Sequence, residues 1–223
     1  MPDLIYATRA WVESDSTQNA SNEIITGSWQ WTNSIDLPGT TGTGILVDSV
    51  FGWRDIIGSP QEPTVGAGKP SFSQIATSGV YTWSFAIGDT QYYIWHIPHD
   101  YVPGTDIHFH THWFGPQTAG GYARWQYEFL YADGHNQSPF PTTATTVNSE
   151  EQQSTTAYQH MVTESAGVTI SGLEVDGIVI AKVSRIAATL GTDVSGSVFA
   201  PVMDIHYQSH NLATPNKSPS FYA

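Results

Sequence analysis

The stretch Asp106-Ile107-His108-Phe109-His110-Thr111-His112-Trp113 decides the fold class. Successive side chains of a β-strand point to opposite faces, so Asp106, His108, His110 and His112 share one face while Ile107, Phe109 and Trp113 share the other. The apolar face fixes how the strand must sit. The histidine face then looks outward, into a partner, or into a polar cavity. Same-face neighbours lie ~7 Å apart, so two imidazoles of a His-X-His pair can converge on one ion, whereas three spanning ~13 Å cannot easily do so.

Working outward, β-branched and aromatic residues crowd GVYTWSFAI (79–87) and TQYYIWHIP (90–98), with Gly88-Asp89 between them, which reads as a hairpin. ARWQYEFLYA (123–132) supplies another strand beyond the Gly115–Gly121 loop. The polar stretch from Asp133 to Gln159 reads as a long excursion at one end of a sandwich. GVTISGLEV (167–175), GIVIAKVSRIAAT (177–189) and VFAPVMDIHYQSH (198–210) complete about eight strands. This spacing, with no convincing amphipathic helix and no self-similar period, predicts an all-β antiparallel sandwich of jelly-roll type over residues 76–223.

Residues 1–75 are poorly periodic and rich in Gly, Ser, Thr and Pro, and they read as an extended N-terminal arm with a few short strands. The segment Gly58–Pro70 is a loop by composition. Large aromatics such as Trp29, Trp31, Phe51 and Trp53 argue against simple disorder, which is normally depleted in them.

The charge balance excludes whole classes of partner. Seven Lys+Arg against 20 Asp+Glu give a formal charge of −13 over 223 residues. The few cations are scattered, so nucleic acid and an anionic membrane surface are both unsuitable partners. With no cysteine there are no disulfides, thiolate metal sites or Cys nucleophiles. No apolar run approaches the ~20 residues of a membrane span, and the N-terminus lacks the pattern of a cleaved signal, so the expectation is a soluble chain.

Candidate site residues follow from the strand pattern. His108, His110 and His112 form the primary group. Asp204, His206, Gln208 and His210 share one face of the last strand, Glu128 lies on the strand after the histidines, and His96 and His99 flank Pro98. His206 or Glu128 could complete a two-histidine, one-carboxylate metal site if its strand neighbours the first, and His99, Asp106 and Asp204 extend the polar cluster. A hydrogen-bonded histidine ladder at a subunit contact, with no metal, is the competing reading. Asp55, in Trp53-Arg54-Asp55, reads as a local ion pair or turn cap.

Catalytic templates are poorly matched. There is no Gly-X-Ser-X-Gly elbow, no phosphate-cradling Gly-X-X-X-X-Gly-Lys loop and no His-Glu-X-X-His. A cupin metalloenzyme would place His-X-His on a strand after a glycine, as Gly104 and His110-Thr111-His112 allow. Its glutamate a few residues later is missing, and so is its later Pro-X-Gly-X-X-His segment. A sugar-binding platform from Trp113, Trp125, Tyr127 and Tyr131 is conceivable, although alternation assigns most of them to the core.

The runs Ile94-Trp95-His96-Ile97-Pro98-His99-Asp100-Tyr101, Gly104-Thr105-Asp106-Ile107-His108-Phe109-His110-Thr111-His112-Trp113 and Met203-Asp204-Ile205-His206-Tyr207-Gln208 resemble a block found in tailed-bacteriophage virion proteins. The resemblance covers roughly residues 92–131 and 198–210. It implies a non-enzymatic structural protein: a jelly-roll capsid decoration, or cement, protein that forms homotrimers and binds the outside of the major capsid protein shell. The implied location is the capsid exterior of a virion, after synthesis in the host bacterial cytoplasm. No cofactor is required for that role. Threefold symmetry would bring together up to six imidazoles from His110 and His112, which could hold a transition-metal ion at the subunit contact. A tail fibre, spike or head-to-tail adaptor is the alternative, and a cupin-like metalloenzyme the second. An acidic, Lys-poor surface suits a protein on the outside of a DNA-filled shell.

Overall fold

The computed structural model describes residues 52–62, 68–135, 137–210, 213–214 and 216–221. Residues 1–51, which hold most of the expected arm, lie outside the described residues. The described residues form eleven strands and no helix: β1 (Gly52–Ile57), β2 (Ser59–Pro60), β3 (Ser71–Gln74), β4 (Tyr81–Phe85), β5 (Thr90–His96), β6 (Ile107–Phe114), β7 (Tyr122–Ala132), β8 (Thr145–Gln152), β9 (Met161–Glu164), β10 (Ile178–Ile186) and β11 (Val198–Ser209). They make two antiparallel sheets packed as a sandwich. One runs β3-β4-β11-β6-β9, with β1 also on β11, and the other runs β2-β5-β10-β7-β8.

The histidine strand is locked in register from behind. Ile107, Phe109 and Trp113 are fully buried in the core. Phe109 is the hub: its ring lies 5.0 Å from Tyr127, 5.0 Å from Phe129 and 5.7 Å from Trp95, all on the facing sheet. Slipping β6 by one residue would exchange these rings for imidazoles, so the core dictates which face the histidines occupy. Thr111, also on the inner face, bonds Tyr127 Oη at 2.5 Å. Burial pushes the Tyr127 phenol up to about 12, so the hydroxyl stays protonated and neutral in the core.

Strand β11 organises the six-stranded sheet. Its pairing with β6 shifts register between Phe199 and Val202, around Pro201, which has no N–H to give a ladder. Before that irregularity β11 pairs with β4, and beyond it with β1, so one edge of a single strand serves two neighbours. The β1 and β3 segments, which fall within the arm as read from sequence, are thus sheet strands here.

Three local expectations are corrected. Residues 79–98 are not a hairpin, because β4 and β5 belong to different sheets and Gly88-Asp89 is the corner between them. Gly88 adopts φ +91°, and the Asp89 carboxylate accepts the Ala86 N–H at 2.7 Å. A cross-sheet corner needs the same turn residues as a hairpin, which is why composition did not separate them. The polar excursion contains β8, an edge strand whose Thr145, Thr146 and Glu151 side chains face solvent, while Glu150 is folded back onto Arg124, Thr189 and Leu190. Residues 167–175 are not a strand: only Val168 bridges Ile107, while Leu173 and Val175 are buried from a loop. The alternation there serves to plug the core without a pairing partner. No helix among the described residues is long and apolar enough to cross a membrane.

Candidate histidine and carboxylate site

The core-averted face of the six-stranded sheet collects the histidines. Register sets His110 opposite Asp204 on β11 and Glu164 on β9, and His206 opposite His108 on β6 and Asp55 on β1. Side chains on one face of paired strands are within reach of each other, so four strands converge on one polar patch. His110 and Asp204 are buried within it, at 4% and 3% exposure, while His108, His112 and His206 are half-buried.

Asp204 sits at the centre. Its Oδ1 lies 2.9 Å from His110 Nδ1 and its Oδ2 3.3 Å from His112 Nε2. The far side of His112 is fixed by His160, whose Nε2 is 2.7 Å from His112 Nδ1, with the two rings stacked at 18°. His206 lies between two carboxylates, with Nε2 2.6 Å from Asp55 Oδ1 and Nδ1 bonded to Glu164. Its ring is 4.2 Å from that of His110. His108 points Nδ1 at the Ser165 carbonyl, 3.2 Å away, and meets Trp53 edge-on at 5.5 Å. Trp53, His108, Glu164 and His206 line a shallow depression of about 410 Å³.

The environment splits the central imidazoles. Burial works to lower the His110 pKa, but Asp204, with Glu164 and Asp55 behind it, carries it above the usual histidine value. His112 goes the other way: burial lowers it, Asp204 opposes, and His110 and His160 push it further down. A neutral His112 beside a carboxylate is a competent metal donor. Two groups have their donor atoms within 4.8 Å of one another, His110/His112/Asp204 and His110/Glu164/His206.

The remaining candidate residues fall elsewhere. Glu128 lies on the other sheet, where it accepts from Lys182 Nζ at 2.5 Å, so it cannot complete a site with the β6 histidines. Asp106, at the start of β6, accepts from Thr169 Oγ1 at 2.6 Å. A Cβ on Gly167 would come within 2.6 Å of the Asp106 carboxylate and 3.1 Å of His108, so a glycine is needed for that close approach. His99 joins a second group around Asp176, whose Oδ1 is 2.7 Å from His96 Nε2 and whose Oδ2 is 2.5 Å from His135 Nε2; His99 stands 3.9 Å away. Burial works to raise the Asp176 pKa, and the His96 and His135 contacts outweigh it, holding the carboxyl below its ordinary range. Asp55 reaches His206 rather than its neighbour Arg54, which pairs with Asp100 at 3.0 Å.

Sequence reading missed Glu164 and His160. Both lie in or beside β9, a four-residue strand inside a polar stretch where alternation is too short to detect. The aromatics considered for sugar binding are mostly core: Trp113, Trp125 and Tyr127 are fully buried.

The 97–106 loop is tied to the end of β11. Asp100 accepts from Tyr207 Oη at 2.9 Å and Ser209 Oγ at 2.7 Å, both on β11. Val102 N–H donates to the Gln208 carbonyl at 2.9 Å, and Tyr101 Oη to the Thr105 carbonyl at 2.5 Å. No family model and no curated protein matches the chain.

Proposed function

We propose that this chain is a structural component of a tailed-bacteriophage particle: a jelly-roll protomer that forms homotrimers and decorates the outer surface of the major capsid protein shell. One observation carries the reading. The histidine face turns away from the core and is bordered by exposed Trp53 (58%), Ile57 (69%) and Val162 (42%), on the same side of the sheet. Aromatic and aliphatic side chains beside a buried polar centre are what a subunit contact presents before its partner arrives.

Three further features support it. The virion-like block ties loop 97–106 to β11, which is architectural work. A cupin-like enzyme would hold its metal inside the barrel, whereas here Ile107, Phe109, Thr111 and Trp113 fill the interior side of β6. The acidic surface suits association with a protein shell in preference to its packaged DNA.

Sedimentation of the purified chain tests the reading. The expected mass is three times 24.3 kDa, with saturable binding to empty phage shells at hundreds of copies per particle. A monomer that ignores shells overturns it, and a few dozen copies per virion would assign the protein to the tail or a fibre.

A further inference from the structure

We infer that His110 Nδ1, His112 Nε2 and Asp204 bind one divalent late-first-row transition-metal ion within a single chain, Zn2+ being the natural probe. The inference stands on intrachain geometry and does not depend on trimer formation or on capsid binding.

Four observations converge. His110 Nδ1 and Asp204 Oδ1 are both inaccessible to solvent and face one another at 2.9 Å as a close ion pair, without the angles of a hydrogen bond. A buried contact that lacks hydrogen-bond geometry is weaker than a well-formed one, and an ion seated between the two atoms would satisfy both. One donor atom from each of His110, His112 and Asp204 lies within 4.8 Å of the others, and each imidazole nitrogen lies at 2.9 or 3.3 Å from one oxygen of the Asp204 carboxylate, within range of the ~3.4 Å ligand–ligand edge of a tetrahedral zinc site with ~2.1 Å bonds after small side-chain shifts. His160, 2.7 Å from His112 Nδ1, occupies the ring nitrogen that faces away from Asp204, which orients His112 Nε2 as the ligand atom in the manner of an outer-shell partner. Two imidazoles and one carboxylate select zinc-like ions over Ca2+ and Mg2+, which require oxygen cages.

The alternative group, His110/Glu164/His206, is less suited. Both His206 nitrogens already face carboxylates, Asp55 on one side and Glu164 on the other, so an ion there would have to displace one of these contacts. Three protein donors at the His110/His112/Asp204 site leave the fourth position of a tetrahedral ion for water or for a donor from another molecule.

The test titrates the full chain, stripped with chelator, with Zn2+ by calorimetry and with Co2+ by visible absorption. One ion per chain and the absorption of four-coordinate Co2+ are expected. His112→Ala should weaken Zn2+ at least ~100-fold, and His160→Ala should weaken it ~10–100-fold, the effect of losing an outer-shell partner. His112 is half-buried, so its variant can be checked for native circular dichroism where Asp204→Asn could unfold the sheet. His99→Ala, in the separate Asp176 group, should bind as wild type. No stoichiometric uptake by the stripped wild-type chain overturns the site. So does binding that survives His112→Ala in a folded protein, or binding lost in Glu164→Gln alone. Sedimentation in chelator separates the two readings, since a trimer that persists without metal leaves the assembly proposal intact whatever the titration shows.

Discussion

Replacing Arg185 with Met should cost about 3 kcal/mol, although this residue touches neither histidine group. Arg185 points inward from β10 in line with Val179, Ala181 and Val183, and is fully buried. Its Nη1 donates to the carbonyls of Phe85 at 2.9 Å and Gly196 at 2.5 Å, and its Nη2 donates to Val194 at 2.8 Å. Phe85 ends β4 on the facing sheet, so the guanidinium joins the two layers. Burial lowers its pKa from the ordinary value, with Asp193 and Asp89 opposing. Three stranded carbonyls would cost ~1–3 kcal/mol each if left dry. Removing a buried ion returns several kcal/mol of desolvation, which cancels more than half of that sum and leaves about 2–4 kcal/mol. Arg185→Lys should be no better than Arg185→Met, because an ammonium keeps the desolvation cost yet cannot span three carbonyls as a planar fork does. Urea unfolding with an unchanged slope measures the loss, and the melting temperature should fall by roughly 6–12 °C for a domain of this size. A loss under about 1 kcal/mol for Met, or wild-type stability for Lys, would refute the account of Arg185 as a fork between the sheets.

Two other outcomes follow from the same structure. Phe109→Ala, which empties the hub between Trp95, Tyr127 and Phe129, should destabilise by ~3–5 kcal/mol in urea titration, and a cost below ~1.5 kcal/mol would mean the strand is held by other contacts. Asp176 has a depressed folded pKa, so its contribution is present above the ordinary carboxyl value of ~3.9 and is lost as pH falls through the lower folded value. Asp176→Asn keeps a residue that tolerates the observed φ of +66°. Its stability deficit should be clear near pH 5 and should close near pH 2; a deficit independent of pH would show that charge is not what holds the three histidines.

Much of this arrangement was legible in the order of the residues. Alternation in 106–113 and 203–208 assigned the histidines and Asp204 to one face each, because a period of two needs only a few residues to declare itself and the opposite faces are strongly apolar. That these two faces are the same patch depends on β6 pairing with β11 across 83 intervening residues, which no local pattern encodes. Glu128 shows the gap most directly: it follows the histidine strand in sequence but lies on the other sheet, because the chain crosses the sandwich between β6 and β7. Asp55, Glu164 and His160 were not identified as site residues, since they sit on short edge strands or loops whose polar composition is shared by ordinary surface. The Gly88-Asp89 corner and the 167–175 plug were misread for a related reason. Turn chemistry and alternation report local geometry, whereas sheet membership is settled by partners far along the chain.

The two-neighbour edge of β11 has a consequence for how the protein is made. β11 is the last described strand, yet it inserts at the centre of its sheet, between β6 and the pair β4 and β1. A nascent chain halted before Val198 would hold β6 with an unpaired edge and would lack both Asp204 and His206. Contacts of such long sequence separation form late in folding, and open strand edges invite association with other chains. The histidine centre is therefore absent from every product that stops short of β11, which ties any assembly step that uses this face to chains that carry that strand.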